Sequence, residues 1–230
     1  MKVNQNILVI ALLLLSAVLA QAQDPAQLKE MFARAQQHNA QGLRQYTWKS
    51  RNEVRKDGES KSAQVFLMSY DALGNLQKSQ IGGTAPPSIL KGPKGPIIGR
   101  IAEKKRDAFI ETVNGLRAQV QHYSQLPPDR MQAWLASATI TAKLDQGVVL
   151  MQGGNVLQRG DAMTIWLDAK TRKQRRVEIT TFYENNAVNA VSDFNELPAG
   201  PNYMARTVVN YPKESLQLIT ENFDYERERR

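Results

Sequence analysis

The sequence predicts an α+β protein built on an antiparallel sheet, and three observations carry that prediction. From Asp161 to Tyr225, apolar and polar residues alternate in short runs separated by polar turns, as in Met163, Ile165 and Leu167 against Thr164, Trp166 and Asp168. Period-two patterning broken by turn residues marks antiparallel strands with one wet face. Second, Phe109, Val113, Leu116, Val120 and Tyr123 step by four and three, the spacing of one helical face. Third, Asp24-Pro25 opens a segment with Leu28, Met31, Phe32 and Ala35 at helical spacing. The expected architecture is a sheet covered by an N-terminal helix and a central helical insert.

Taken in order, the chain begins with a leader. Lys2 precedes the apolar run Ile7 to Leu15, and Ala20-Gln-Ala22 places small residues at a cleavage position. A basic start, a short apolar core and an A-x-A end define a secretory signal peptide, and the run falls short of the roughly 20 residues that a membrane span needs. Residues 1–22 are therefore read as leader, and residues 23–230 as a single exported domain. Cysteine is absent, so disulfides, thiolate metal sites, cysteine nucleophiles and a lipidated N-terminal cysteine are excluded. The expected location is the periplasm, with cleavage near Ala22.

The formal charge of +8 falls only by the one charge of Lys2 when the leader is removed. For an exported protein, a pI near 9.7 points away from nucleic acid and towards anionic headgroups or an acidic partner.

After the first helix, expected to stop by Gly42, the pattern becomes that of strands. Tyr46 and Trp48 alternate with Thr47 and Lys49, and Asp57-Gly58 is a strong hairpin signal. The return run, Ala63 to Tyr70, is apolar at successive positions and reads as a strand covered on both faces. Asp71 to Asn75 turns the chain into a third strand, Leu76 to Ile81. Residues 82–99 are too rich in proline and glycine for regular structure and are expected to form a loop. Residues 101–138 form the helical insert, split by Pro127-Pro128 into a long helix and a short one with Met131, Trp134 and Leu135. Lys104, Lys105 and Arg106 fall in the first turns, where cations oppose the helix dipole. Strands resume near Thr139, with Gln152 to Asn155 read as a hairpin turn.

Chemistry is sparse. His38 and His122 stand alone, and no G-x-S-x-G, P-loop or G-x-G-x-x-G after a strand occurs. Asp161, Asp168, Asp193 and Asp224 each stand beside a turn or strand end, where aspartate commonly bonds to local backbone. No cofactor, metal or catalytic residue is expected, and a hydrolase would need a carboxylate or histidine cluster assembled by the fold. Apolar residues are plentiful. Trp48, Val65, Leu67, Phe109, Val113, Leu116, Ile165, Leu167, Val177, Ile179 and Leu218 are the candidate lining of an apolar cavity, or equally the filling of a packed core. Lys91, Lys94, Lys104, Lys105 and Arg106 are the candidate contacts for anionic headgroups or a partner.

Particular hairpins suggest a family. The run Trp166 to Ile179, an aromatic strand ending in Asp168-Ala-Lys-Thr171 and returning through Arg176-Val177, resembles a hairpin of the periplasmic lipoprotein-sorting proteins of the LolA/LolB-like type. Phe194 to Tyr203 and the closing Leu216 to Tyr225 resemble that family's last strands. The resemblance covers roughly the last third of the chain. It implies a curved half-barrel closed by helices that carries a lipid or the acyl chain of a lipoprotein, with transient contact at a membrane surface and no catalysis. The alternative on the same fold is a cell-envelope interaction module with a protein partner, which would show an exposed apolar patch on the sheet rim.

Overall fold

The computed structural model describes residues 25–84, 96–198 and 200–228. The leader and most of the glycine-proline segment, with Lys91 and Lys94, lie outside the described residues. The elements run α1 (Pro25–Leu43), β1 (Tyr46–Lys56), β2 (Glu59–Tyr70), β3 (Leu76–Thr84), α2 (Pro96–Ser124), α3 (Pro128–Ser137), β4 (Thr139–Lys143), β5 (Val148–Gly154), β6 (Ala162–Asp168), β7 (Gln174–Tyr183), β8 (Asn186–Glu196), β9 (Asn202–Tyr211) and β10 (Leu216–Arg227). The insert helix begins at Pro96 rather than near Ile101, because proline's fixed φ suits a first helical turn. By its contacts the chain divides after His38 into two compact units. In the first, α1 buries Phe32 while Met31 stays 53% exposed.

The second unit holds the sheet. Its ten strands run β3-β2-β1-β10-β9-β8-β7-β6-β5-β4, every pair antiparallel, in one open curved sheet. One non-sequential pairing, β1 with β10, joins the N-terminal meander to the C-terminal one. Turn chemistry follows the sequence. Asp57 and Gly58 both have positive φ (54° and 79°), as do Glu184 and Asn185 (49° and 62°), the geometry of two-residue hairpins whose twist matches that of the strands.

Two expectations fail here. Gln152 to Asn155 is not the turn: Gly153 and Gly154 lie inside β5, and the chain turns between Asn155 and Asp161. The reason is packing. The Trp134 indole of α3 lies so close to Gly153 that an added Cβ would sit 2.7 Å from its Nε1, so glycine is needed for contact rather than for turning. Nor is β2 covered on both faces, for Leu67 is 42% exposed.

Strand register sorts the side chains. On one face Val54, Leu218, Val209, Ala190, Ile179 and Met163 stand side by side across six strands, all of them buried. Helices α2 and α3 pack on this face, α2 mainly against β7 and α3 against β5. The other face carries charge. Arg51 and Arg55 flank Glu53, Arg51 and Arg206 reach Glu221, and Arg176 reaches Glu178 and Asp193.

Candidate functional site

The helix-bearing face has three zones. The first is the core under α2 and α3, held by a buried polar lock. Asp161 accepts backbone N–H groups from Val156 (2.6 Å), Leu157 (2.9 Å) and Gln158 (2.9 Å), and Tyr123 of α2 donates its hydroxyl to the same carboxylate at 2.6 Å. Thr181 lies 2.6 Å from the Tyr123 hydroxyl and is also bonded by Gln119 and Gln158. Burial, and after it the bond to Asp161, pushes the Tyr123 pKa far up. The grouping has the residue types of a reaction centre, but Asp161, Thr181 and Tyr123 are 2%, 0% and 3% exposed. With its donors and acceptors used inward, it fastens α2 to the sheet. Among the described residues, no group of three or more His, Asp or Glu side chains could hold a metal ion.

The second zone is a polar band. Ser50, Asn52, Thr220, Asn222, Thr207 and Ser192 follow the core residues along the same face. Four of them pair off, and a fifth bonds backbone: Thr220 donates to Asn52 at 2.9 Å, the Ser192 and Thr207 hydroxyls are 2.8 Å apart, and Asn222 donates to the Met204 carbonyl at 2.8 Å.

Beyond the band lies the third zone, an aromatic cluster. Trp48 stacks on Tyr225 with centroids 5.5 Å apart and planes 6° from parallel, and meets Tyr70 at 5.6 Å. Tyr203 contacts Tyr225 at 4.3 Å and Tyr46 meets it edge-on at 6.4 Å. Phe66 and Met68 pack with Trp48. Register shifts near Thr47, Val65 and Asp193 adjoin the cluster, and Asp224 has φ 51°. A bulge re-aims the side chains that follow it, which brings Tyr225 over Trp48 although the two strands slip by a residue.

At the rim, edge strand β3 presents Leu76 opposite Tyr70 and Lys78 opposite Met68. Leu73, Leu76 and Ile81 are 86%, 52% and 51% exposed. The Lys78 ammonium sits 3.7 Å above the centre of the Phe66 ring. Burial, with the Arg117 guanidinium of α2 nearby, lowers the pKa of Lys78, and burial lowers that of Arg117. Both side chains nevertheless keep solvent contact.

The structure divides the sequence-derived lining. Val113, Leu116, Ile165, Leu167, Ile179 and Leu218 are buried in the core, joined by the half-buried Phe109 and Val177. Trp48 belongs to the aromatic cluster across the polar band. Val65 and Leu67 are a correction: they pair with Arg51 and Lys49 and point to the charged face, because apolar residues at successive positions of a strand must face opposite ways. Two open depressions, of about 630 Å³ beside Tyr183 and α2 and about 420 Å³ at the β1–β2 and β9–β10 turns, are lined by none of these eleven residues. Lys104, Lys105 and Arg106 lie exposed along α2, and Arg106 pairs with Asp107 at 3.4 Å. Sequence reading missed Phe66, Met68, Tyr70, Tyr203, Tyr225, Lys78 and Arg117. The alternation of aromatics along β1, β2 and β10 was the signal available.

Compared by sequence, the chain matches no family model and no curated protein. Compared by structure, it is similar to a DUF1329 family protein from Desulfovibrio piger, at 8% identity and TM-score 0.41, over 90% of this chain and 94% of that one. It is also similar to a LolA superfamily protein from Nitrosomonas europaea, at 8% identity and TM-score 0.32, over 84% and 92% of the two chains. No helix among the described residues is long and apolar enough to cross a membrane.

Proposed function

We propose that this protein is an exported, periplasmic carrier or binder of an acyl chain, that of a lipid or an acylated protein, and that it acts without catalysis. The observation that carries the reading is the aromatic cluster on the helix-bearing face. A polar band separates it from the packed core, and it reaches the rim through half-buried Tyr70, Tyr203 and Tyr225. Flat, half-buried rings offer an acyl chain large apolar area at little cost in side-chain entropy. The core under α2 and α3 is the wrong place for a ligand, because its side chains already fill it.

The test is titration of the mature protein with a neutral fluorescent acyl probe, read by energy transfer from tryptophan. Saturable binding is expected, and Tyr203→Asp should weaken it by about tenfold or more, since the carboxylate would have to be desolvated beneath the chain. Unchanged binding in a folded Tyr203→Asp protein would move the ligand elsewhere, and no binding by the parent would sink the carrier reading.

A second reading rests on β3 and the turn before it, where exposed Leu76 and Ile81 on the edge strand and Leu73 in the turn form an apolar rim. Edge strands recruit partners by strand addition, which fits an envelope interaction module. Slowed hydrogen exchange of the β3 amides on mixing with an envelope extract, in a protein that binds no acyl probe, would favour it.

A further inference from the structure

We infer that Lys78 and Arg117 form an anion site above Phe66 that takes the carboxylate or phosphate end of an amphiphile whose chain lies on the aromatic cluster. The inference rests on the acyl-chain reading proposed above and adds a headgroup class to it.

The argument begins with the helix. Gly115 and Gln119 occupy one flank of α2, where Gly115 abuts Tyr183 and Gln119 bonds Thr181. Arg117 is two residues from each, roughly 200° around the helix, so it emerges on the opposite flank. Lys78 approaches from the other side. It is paired with Met68 in the sheet, and its ammonium rests on the Phe66 face at 3.7 Å. Phe66 belongs to the buried cluster with Trp48 and Met68, against which Tyr70 and Tyr225 pack. Arg117 is near enough for its charge to be felt at Lys78, so the cation resting on the Phe66 ring has a second one beside it.

The charges are not neutralised. Among the described residues, neither Lys78 nor Arg117 has a carboxylate within ion-pair distance or a side-chain hydrogen-bond partner. Residues 85–95 contain no acidic side chain, and from Lys78 to Arg106 seven basic residues face one acidic residue, Glu103. On the charged face of the sheet, by contrast, Arg51, Arg55, Arg176 and Arg206 each reach a carboxylate. Burial beside an apolar surface lowers the proton affinity of both groups, and at Lys78 the charge of Arg117 adds to it. A bound anion would relieve both costs, and the neighbouring rings would accept the chain attached to it. A lone inorganic anion would leave that surface unused, so the charge complementarity fits an anionic amphiphile.

The experiment titrates the full mature chain with a long-chain fatty acid, its neutral methyl ester and inorganic phosphate. The three titrations are repeated on Lys78→Met, Arg117→Met and the double variant. Both cations lie at the accessible border, so the variants should remain folded, as circular dichroism would check. The parent should prefer the acid over the ester by about tenfold or more, and each variant should lose most of that preference while keeping its ester affinity. Equal affinity for acid and ester in the parent, or a preference that survives the double variant, would overturn the anion site and leave the acyl-chain reading intact. Binding of neither acid nor ester would sink both. Tight phosphate binding without preference for the acid would make this a site for free anions and overturn the amphiphile.

Discussion

Two zones of one sheet face differ in how they are finished. Under α2, polar groups turn inward and satisfy each other: Asp161 takes three backbone N–H groups and the Tyr123 hydroxyl, and Leu116 and Leu167 are wholly buried. Around Trp48, half-buried rings meet an edge strand with exposed Leu76 and a Lys78 that has no ion-pair partner among the described residues. The first zone has little left to offer a ligand. The second leaves apolar area and charge unspent, as a binding surface must. On the proposed reading, stability and ligand binding fall to neighbouring regions, and a substitution should affect one far more than the other.

The largest expected effect breaks the lock. Asp161→Ala strands three backbone donors and the Tyr123 hydroxyl in a buried site, which should cost about 3–5 kcal/mol. Urea denaturation would measure the loss, and Asp161→Asn, which keeps an acceptor, should cost less than half as much. If acyl-probe binding in Asp161→Asn falls more steeply than its stability, the two zones are not separable.

Next comes acid. The Thr171 backbone N–H, then that of Lys170 and the Arg175 guanidinium, hold the Asp168 carboxyl at a pKa of about 2. Its unfolded value is about 3.9. A depressed carboxylate stabilises the fold at pH values above the unfolded pKa, and that contribution disappears as pH falls through the folded one. Asp168 should therefore contribute about 2 kcal/mol at pH 6 that is lost between roughly pH 4 and pH 2. Comparing unfolding of the parent and Asp168→Asn over that range isolates it: the gap between the two should close on acidification.

A smaller effect tests the fit of α2. A Cβ on Gly115 would lie 2.4 Å from the Tyr183 hydroxyl oxygen. Alanine gains about 1 kcal/mol of helix propensity over glycine, yet Gly115→Ala should lower stability by about 1 kcal/mol because the ring must move. A rise in melting temperature would mean that α2 floats on β7. Smallest of all, Leu76→Ser at the aromatic rim should change stability by no more than about 0.5 kcal/mol, while acyl-probe affinity drops measurably.

Much of the architecture could be read from local residues. The strands and hairpins follow from alternation and from turn residues such as Asp57-Gly58, because side-chain period and backbone preference act within a few positions. The stripe from Phe109 to Tyr123 likewise predicted both the long helix and its buried side. Asp161 and Asp168 were legible as makers of local hydrogen bonds, for their backbone partners lie within a few residues. What sequence did not reveal depends on register and distance. Nothing local says that Val65 and Leu67 face away from Trp48, or that Gly153 makes room for Trp134 from another element. Nor can it say that Lys78 rests on the Phe66 ring, or that the charge of Arg117, thirty-nine positions further on, is felt there. A sequence lists apolar residues without telling a filled core from a waiting surface, since both use the same side chains. Only the pairing of β1 with β10 and the seating of α2 decide which atoms touch, and the free energy of a site lies in those contacts.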